Sequence, residues 1–153
     1  MILKWNANCF SEVHLQMVER YLRPNLEYYL KDGKTCFIGI IKRSIDLGRY
    51  ALVLTSEAFK VSLKLVYNSD KSLSFYSKSS GKWLRTSVWG VFLDQQNAED
   101  ASKFEPLLGP DESDGVVLRS VQCWENLCAG SGFSSSCVLT SGRAIKFNFL
   151  PVN

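Results

Sequence analysis

Residues 50–93 read YALVLTSEAFKVSLKLVYNSDKSLSFYSKSSGKWLRTSVWGVFL, a stretch in which apolar and polar side chains alternate between short polar turns. Over 59–65 the alternation is strict, with apolar residues at the odd positions and Lys60, Ser62 and Lys64 between them. A side-chain period of two is typical of an antiparallel strand with one buried face. Turn sequences at 68–71 and 79–81 lead into further strands at 73–76 and 83–92. The stretch therefore predicts consecutive strands of a curved antiparallel sheet, with Phe59, Phe75 and Phe92 in its core.

The sequence on either side of this stretch adds more strands. Asp32-Gly33 between two apolar runs predicts a hairpin of strands 28–30 and 35–41, and 49–54 follows as a third strand. Near the C-terminus, 116–124, 137–140 and 144–150 are also predicted to be strands.

Two helices complete the predicted fold. Ser11 can cap a first helix, which Pro24 ends, and apolar residues recur in it at three- and four-residue spacing: Val13, Met17, Val18, Tyr21 and Leu22. Similar spacing of Ala98, Ala101, Phe104 and Leu108 predicts a second helix near 97–108, which Pro106 stops or kinks. A flexible acidic loop near 109–115 follows. We predict an α+β fold in one domain, 1–153, dominated by a curved antiparallel sheet, with an N-terminal amphipathic helix and a second helix near 97–108.

Composition limits the class of protein. The chain has 153 residues, of which 46% are hydrophobic and 22% charged, as expected of one globular domain. Its apolar runs are far shorter than the roughly 18–20 residues of a membrane span. The first residues lack the basic and apolar regions of a secretion signal. We therefore expect an intracellular protein, cytoplasmic or nuclear, with no membrane partner.

No motif predicts catalysis, a cofactor or a metal. His14 is the single histidine, and it lies on the first predicted helix beside no nucleophile signature. The five cysteines form an odd set, which favours free thiols. The spacing of Cys123, Cys128 and Cys137 matches only part of a zinc site, so a structural zinc is left as the lesser alternative. Gly130-Ser131-Gly132 lacks the lysine of a phosphate-binding loop. We expect no catalytic residue, no cofactor and no metal.

The predicted outer face of the sheet combines cations with aromatic rings. Binding of single-stranded nucleic acid needs cations along the phosphate backbone and flat rings on which bases stack. This hypothesis assigns the contacts to the following residues: Lys60, Lys64, Tyr67, Lys71, Tyr76, Lys78, Lys82, Trp83 and Arg85. The order of strands and then a helix resembles, in outline only and with no shared motif, the single-strand-binding modules of the Pur and Whirly type. We therefore predict a non-catalytic binding module, with single-stranded nucleic acid as the favoured partner.

A protein partner is the alternative, and an enzyme is less favoured than either. Residues 42–85 carry nine basic and three acidic side chains, whereas 93–115 carry one basic and seven acidic ones. Segments of opposite charge can bind another protein or a second copy of the same chain. Lysines on the solvated face of a sheet also occur without any ligand.

Overall fold

Alternation of buried and exposed residues places most of the described chain in β-strands. The computed structural model describes residues 3–4, 18–33, 36–108, 114–132 and 136–153, and residues 18–21 form a short helical turn. The strands are β1 (Leu3–Lys4), β2 (Glu27–Asp32), β3 (Cys36–Lys42), β4 (Tyr50–Thr55), β5 (Ser62–Tyr67), β6 (Leu73–Ser77), β7 (Lys82–Ser87), β8 (Gly90–Gln95), β9 (Phe104–Leu108), β10 (Val116–Ser120), β11 (Cys128–Ala129), β12 (Val138–Leu139), β13 (Arg143–Ala144) and β14 (Phe147–Pro151). Short 3-10 turns occupy Ser44–Asp46, Glu57–Phe59 and Ala98–Asp100.

Six of these strands close into an antiparallel ring. β2 pairs with β5, β5 with β6, β6 with β9, β9 with β10, β10 with β14, and β14 pairs back with β2. We call these six strands the ring. In chain order they form three successive couples: β2 with β5, β6 with β9, and β10 with β14.

A hairpin connects the two strands of each couple. β3–β4 follow β2, β7–β8 follow β6, and β11–β12 follow β10. β2, β6 and β10 run in the same direction, because one antiparallel strand lies between each of these strands and the next. All three hairpins therefore leave the same end of the ring, where β4 pairs with β8. We call them the hairpin cap. Three units of ring strand, hairpin and ring strand are the arrangement of a β-trefoil.

Equivalent backbone hydrogen bonds join the hairpin to the ring in each unit. A residue one or two positions before the second ring strand donates its N–H to a carbonyl at the base of the hairpin. The three bonds run from Val61 to Ile38 (3.0 Å), from Ser102 to Leu84 (2.9 Å) and from Ile145 to Leu127 (3.0 Å). The three acceptors are all apolar, but the three donors are of different residue types. The threefold relation is therefore hardly visible in the sequence.

The core follows the same threefold pattern. Every second residue of the first ring strands is buried: Tyr28 and Leu30 in β2, Leu73 and Phe75 in β6, Val116 and Leu118 in β10. Phe104, Phe147 and Phe149 of the second ring strands pack into the same cluster. The Phe75 ring centroid lies 5.8 Å from that of Phe104 and 6.2 Å from that of Phe149. Aromatic packing thus joins strands from two units of the ring.

The predicted α+β class is wrong, because the described chain is nearly all β. The helix expected near 97–108 is instead a 3-10 turn followed by β9. Four successive residues of β9, 104–107, are buried, as in a strand covered on both faces, and β9 forms its hydrogen-bonded ladder with β10. Pro106 has no N–H for a helical hydrogen bond, so a strand tolerates it better than a helix interior does. The resemblance in outline to Pur and Whirly modules depends on that helix, so it is wrong as well.

Two other predicted elements lie partly outside the described residues. Of the first helix, the structure describes 18–21, and Val18 and Leu22 are buried. Ser11, Val13, His14 and Met17 lie outside the described residues, as do 109–113 of the acidic loop.

Most strand predictions are confirmed, but two details are wrong. The hairpin at Gly33 forms, and Phe75 and Phe92 are buried. The strand expected over 83–92 is two strands, because Val88 and Trp89 form a tight turn in which the Trp89 N–H bonds the Ser87 hydroxyl. Phe59 is 72% exposed, since it lies in a 3-10 turn where the alternation of a strand does not apply.

Candidate binding face

Four neighbouring strands each contribute one residue to a row across the outside of the molecule. Glu27 of β2 pairs with Lys64 of β5, Lys64 with Tyr76 of β6, and Tyr76 with Trp83 of β7. The alternate residues of β2, β5 and β6 point into the core, so the members of the row point outward. The row places a carboxylate, an ammonium group and two aromatic rings on adjacent strands.

Further residues surround this row. The Tyr76 and Trp83 ring centroids are 5.0 Å apart with 52° between their planes, so the rings form a bent aromatic wall. The Lys60 Nζ atom lies 4.3 Å from the ring centroid of Tyr29, which is opposite Ser62 on the neighbouring strand. We call the whole surface the lysine–aromatic face; its members are Glu27, Tyr29, Lys60, Ser62, Lys64, Tyr76, Lys78 and Trp83.

Carboxylates reduce the positive charge of this face. Lys78 Nζ lies 3.4 Å from Glu27, and the Ser62 hydroxyl donates a hydrogen bond of 3.1 Å to the same carboxylate. Lys60 Nζ lies 3.4 Å from Glu57. The face is therefore not a uniform cationic track: it carries ammonium groups, carboxylates and aromatic rings close together.

Four of the nine predicted site residues lie elsewhere. Tyr67 points inward and its hydroxyl donates to the Leu22 carbonyl; burial, then the charges of Glu19 and Tyr28, raises the pKa of Tyr67. Lys71 pairs with Glu19 at 3.2 Å in the turn between β5 and β6. Arg85 pairs with Asp94. Lys82 pairs with buried Ser77 and so points to the other side of β7 from Trp83. The structure thus brings together the other five: Lys60, Lys64, Tyr76, Lys78 and Trp83. Whether they bind nucleic acid stays a prediction.

The Arg85–Asp94 pair couples stability to pH. Arg85 donates to Asp94 from Nη2 at 2.6 Å and from Nε at 3.0 Å, and Arg49 Nη1 lies 3.8 Å away. Burial acts to raise the pKa of Asp94, but hydrogen bonds from Arg85 and Gln95 and the charges of Arg85 and Arg49 outweigh it and lower that pKa. The pair therefore stabilises the fold above the ordinary carboxyl pKa, and this contribution is lost as the pH falls through the lowered value.

Asp94→Asn is expected to lower the free energy of unfolding at neutral pH by about 1–3 kcal/mol, because it removes charge-assisted hydrogen bonds. The loss should shrink in acid, where the wild-type carboxylate is itself protonated. Urea denaturation at neutral and acid pH measures this, with the exposed Asp100→Asn as the matched control. An acid dependence identical in the Asp94 variant and the wild type would contradict the assignment.

Glu27 and Tyr29 are the functional candidates that the sequence reasoning missed. They alternate with buried Tyr28 and Leu30, so their outward direction is readable from the sequence. Their position beside Lys64 and Ser62 depends on pairing between strands about 35 residues apart, which the sequence does not indicate.

The described cysteines do not gather. Cys128 is buried and its thiol donates to the Asn126 carbonyl, while Cys137 accepts a bond from Arg43 Nη1 at 3.7 Å. Burial, then the charge of Glu125, raises the pKa of Cys128. Within the described ranges, no group of three His, Cys, Asp or Glu residues could hold a metal ion. Cys9 and His14, which could have completed the partial zinc site, lie outside those ranges.

A cavity of about 360 Å³ lies beside the second hairpin. Its lining includes Ser87, Asp100, Ser102, Gln122 and Glu125. The two carboxylates make it a poor match for an anionic ligand, and the predicted site residues lie outside it. No helix among the described residues is long and apolar enough to cross a membrane.

Solved structures of other proteins share this fold. Lysenin in complex with phosphocholine superposes with a TM-score of 0.60 at 16% identity, over 84% of this chain and 45% of the lysenin chain. The lysenin pore gives a TM-score of 0.63 at 15% identity, over 87% and 48%. A salivary protein from Culex quiquefasciatus of the Cysteine and Tryptophan-Rich (CWRC) family gives 0.60 at 13% identity, over 85% and 94%. This chain therefore spans about half the length of the lysenin chains, and the likeness at such identities concerns the fold alone.

No protein-family model matches the chain, and no curated protein does.

Proposed function

We propose that this domain is a non-catalytic module that binds a phosphocholine-type headgroup on the lysine–aromatic face. The observation that carries the proposal is the row of Glu27, Lys64, Tyr76 and Trp83 on four adjacent strands. A zwitterionic headgroup needs cations for its phosphate, and aromatic rings or a carboxylate for its quaternary ammonium. The row contains all three kinds of group.

The geometry suggests how the ligand is divided between these groups. Lys64 is flanked by Glu27 on one side and by Tyr76 on the other. Because Glu27 is paired with Lys78, the ammonium group of Lys64 is the one that we assign to the phosphate. The bent wall of Tyr76 and Trp83 offers two ring faces to a trimethylammonium group, whose positive charge is attracted to the ring quadrupoles. The Glu27 carboxylate would repel a purely anionic ligand, but it attracts the ammonium group of a zwitterionic one.

The shared fold of lysenin in complex with phosphocholine supports this choice of ligand. Contact with headgroups revises the expectation of no membrane partner, which rested on the lack of a predicted span. A protein that binds at a membrane surface needs no span. The intracellular location stays a prediction.

Charge pairing makes single-stranded nucleic acid the weaker candidate for the same face. Four of the six predicted cations are ion-paired with carboxylates: Lys60, Lys71, Lys78 and Arg85. Such pairs reduce the net charge that a polyphosphate strand would meet and leave fewer counterions to release. The carboxylates weaken the binding of a zwitterionic headgroup less, because they attract its ammonium group.

A protein partner or a second copy of the chain also stays a prediction, but its charge argument is weaker in the structure. This hypothesis depends on the acidic residues of 93–115, and two of them are already paired within the molecule: Asp94 with Arg85, and Glu105 with Arg119.

Trp83→Ala and Lys64→Ala are each expected to weaken the binding of soluble phosphocholine by about tenfold or more, since each removes one of the proposed contacts. Isothermal titration calorimetry measures the affinity. Trp124→Ala and Lys146→Ala are matched controls outside the face and should bind as the wild type does.

A single-stranded oligonucleotide, titrated at two salt concentrations, separates this proposal from its main competitor. Unchanged phosphocholine affinity in both variants would contradict the proposal. Salt-sensitive oligonucleotide binding that disappears in Lys60→Glu/Lys64→Glu, without phosphocholine binding, would favour nucleic acid instead.

A further inference from the structure

Two turns of the hairpin cap expose large apolar side chains. Between β3 and β4, Ile45 is 80% and Leu47 is 87% exposed. Between β7 and β8, Val88 is 85% and Trp89 is 79% exposed. We call these pairs the first and second tips. Isolated apolar residues are common on protein surfaces, but adjacent pairs at two turn apices form small apolar projections that favour an apolar partner.

Both tips are held by specific hydrogen bonds. In the first, Arg43 Nε donates to the Asp46 carboxylate at 2.6 Å, and Arg49 Nε donates to the Asp46 carbonyl at 2.9 Å. In the second, the Ser87 hydroxyl accepts the Trp89 N–H at 3.1 Å. The apolar side chains therefore project from built turns, and little ordering entropy is lost when they meet a partner.

Both tips are parts of the hairpin cap. They belong to hairpins that follow β2 and β6, and these strands run in the same direction around the ring. β4 and β8 pair antiparallel within the cap, so the two tips lie at opposite ends of that pairing, and a partner that meets both must be broad, as a bilayer surface is.

Charge around the first tip identifies the class of partner. Lys42, Arg43 and Arg49 flank Ile45 and Leu47 in the chain, and they outnumber the two carboxylates near them, Asp46 bonded to Arg43 and Asp94 at 3.8 Å from Arg49. Apolar side chains next to cations match the boundary of a phospholipid bilayer, where acyl chains lie just below phosphate groups. Trp89 in the second tip is a residue type enriched at that boundary.

We infer that both tips enter the interfacial zone of a phospholipid bilayer, with the first-tip cations facing the lipid phosphates. The inference extends the proposed function, on which it rests for the choice of membrane. The tips would supply depth of insertion, while the lysine–aromatic face would supply headgroup selection.

Vesicles of phosphatidylcholine with a minor fraction of phosphatidylserine test the inference. The variants Ile45→Ser/Leu47→Ser and Val88→Ser/Trp89→Ser should each bind these vesicles at least about tenfold more weakly in a sedimentation assay. Val152→Ser is the matched control, because Val152 is an exposed apolar residue next to the start of β2, at the opposite end of the ring. Vesicles with brominated acyl chains should quench the wild-type tryptophan emission, and Trp89→Phe should lose most of that quenching.

The tip variants should keep the wild-type affinity for soluble phosphocholine, which separates the two proposals. Vesicle binding without soluble phosphocholine binding would reject the headgroup face and leave the tips supported. Vesicle binding that is absent in the wild type, or unchanged in both tip variants, would overturn the inference. So would light scattering in which the wild type is a dimer and the tip variants are monomers, because a second copy would then cover the tips.

Discussion

Phe75→Ala is expected to lower the free energy of unfolding by about 3–5 kcal/mol, a large part of the stability of an ordinary domain. Phe75 is 1% exposed and packs against Phe104 and Phe149, so truncation removes buried area and leaves a cavity between two units of the ring. Urea denaturation followed by circular dichroism measures the loss.

Phe59→Ala is the matched control for this substitution, because the sequence pattern assigns both phenylalanines to the core while the structure exposes Phe59. Its effect should stay within about 0.5 kcal/mol, as expected of a surface change. Similar losses in the two variants would show that the Glu57–Phe59 turn packs against the core and would contradict the fold described above.

Arg119→Met is expected to destabilise the protein by about 3–5 kcal/mol, because it leaves the Glu105 carboxylate buried without its partner. Glu105 and Arg119 are paired residues of β9 and β10, and Arg119 Nε donates to Glu105 at 2.7 Å. Glu105 is only 6% exposed. Methionine keeps most of the apolar stem of arginine, so the loss reports mainly on the charge.

The double variant Glu105→Leu/Arg119→Met is expected to unfold within about 1 kcal/mol of the wild type, since replacing both members of a buried pair by apolar residues is often neutral. A double-mutant cycle in urea then gives the coupling energy between the two side chains. A double variant as unstable as the two single losses added together would show that the pair is not coupled.

The sequence predicts strands well where one face is buried along the whole element. Alternation correctly identifies β5, because Leu63 and Leu65 both pack into the core. It fails at Phe59, one turn earlier, where the backbone leaves the strand. The predicted helix near 97–108 rests on four apolar residues at helical spacing, but tertiary pairing with β10 outweighs that local pattern.

The threefold arrangement is beyond this kind of prediction. Equivalent positions of the first ring strands hold Tyr28, Leu73 and Val116, which share an apolar character and little else. The ring also closes through pairing of β2 with β14, near opposite ends of the described chain. Local patterns contain no information on such a contact.

The candidate site is predictable in part. Alternation alone places Lys64 outward, and the same alternation places Tyr67 inward with Leu63 and Leu65. Glu27 is a different case, because its place beside Lys64 exists only once β2 and β5 pair. The sequence thus indicates the composition of the face and not the carboxylate that balances its charge.

The closed ring also bears on how the protein avoids aggregation. A strand with an unpaired edge offers free N–H and C=O groups to which another chain can add a strand, and lysines on such edges are a common protection. β5 pairs with β2 on one side and with β6 on the other. Lys64 therefore protects no open edge, and defence against intermolecular strand addition does not explain its charge.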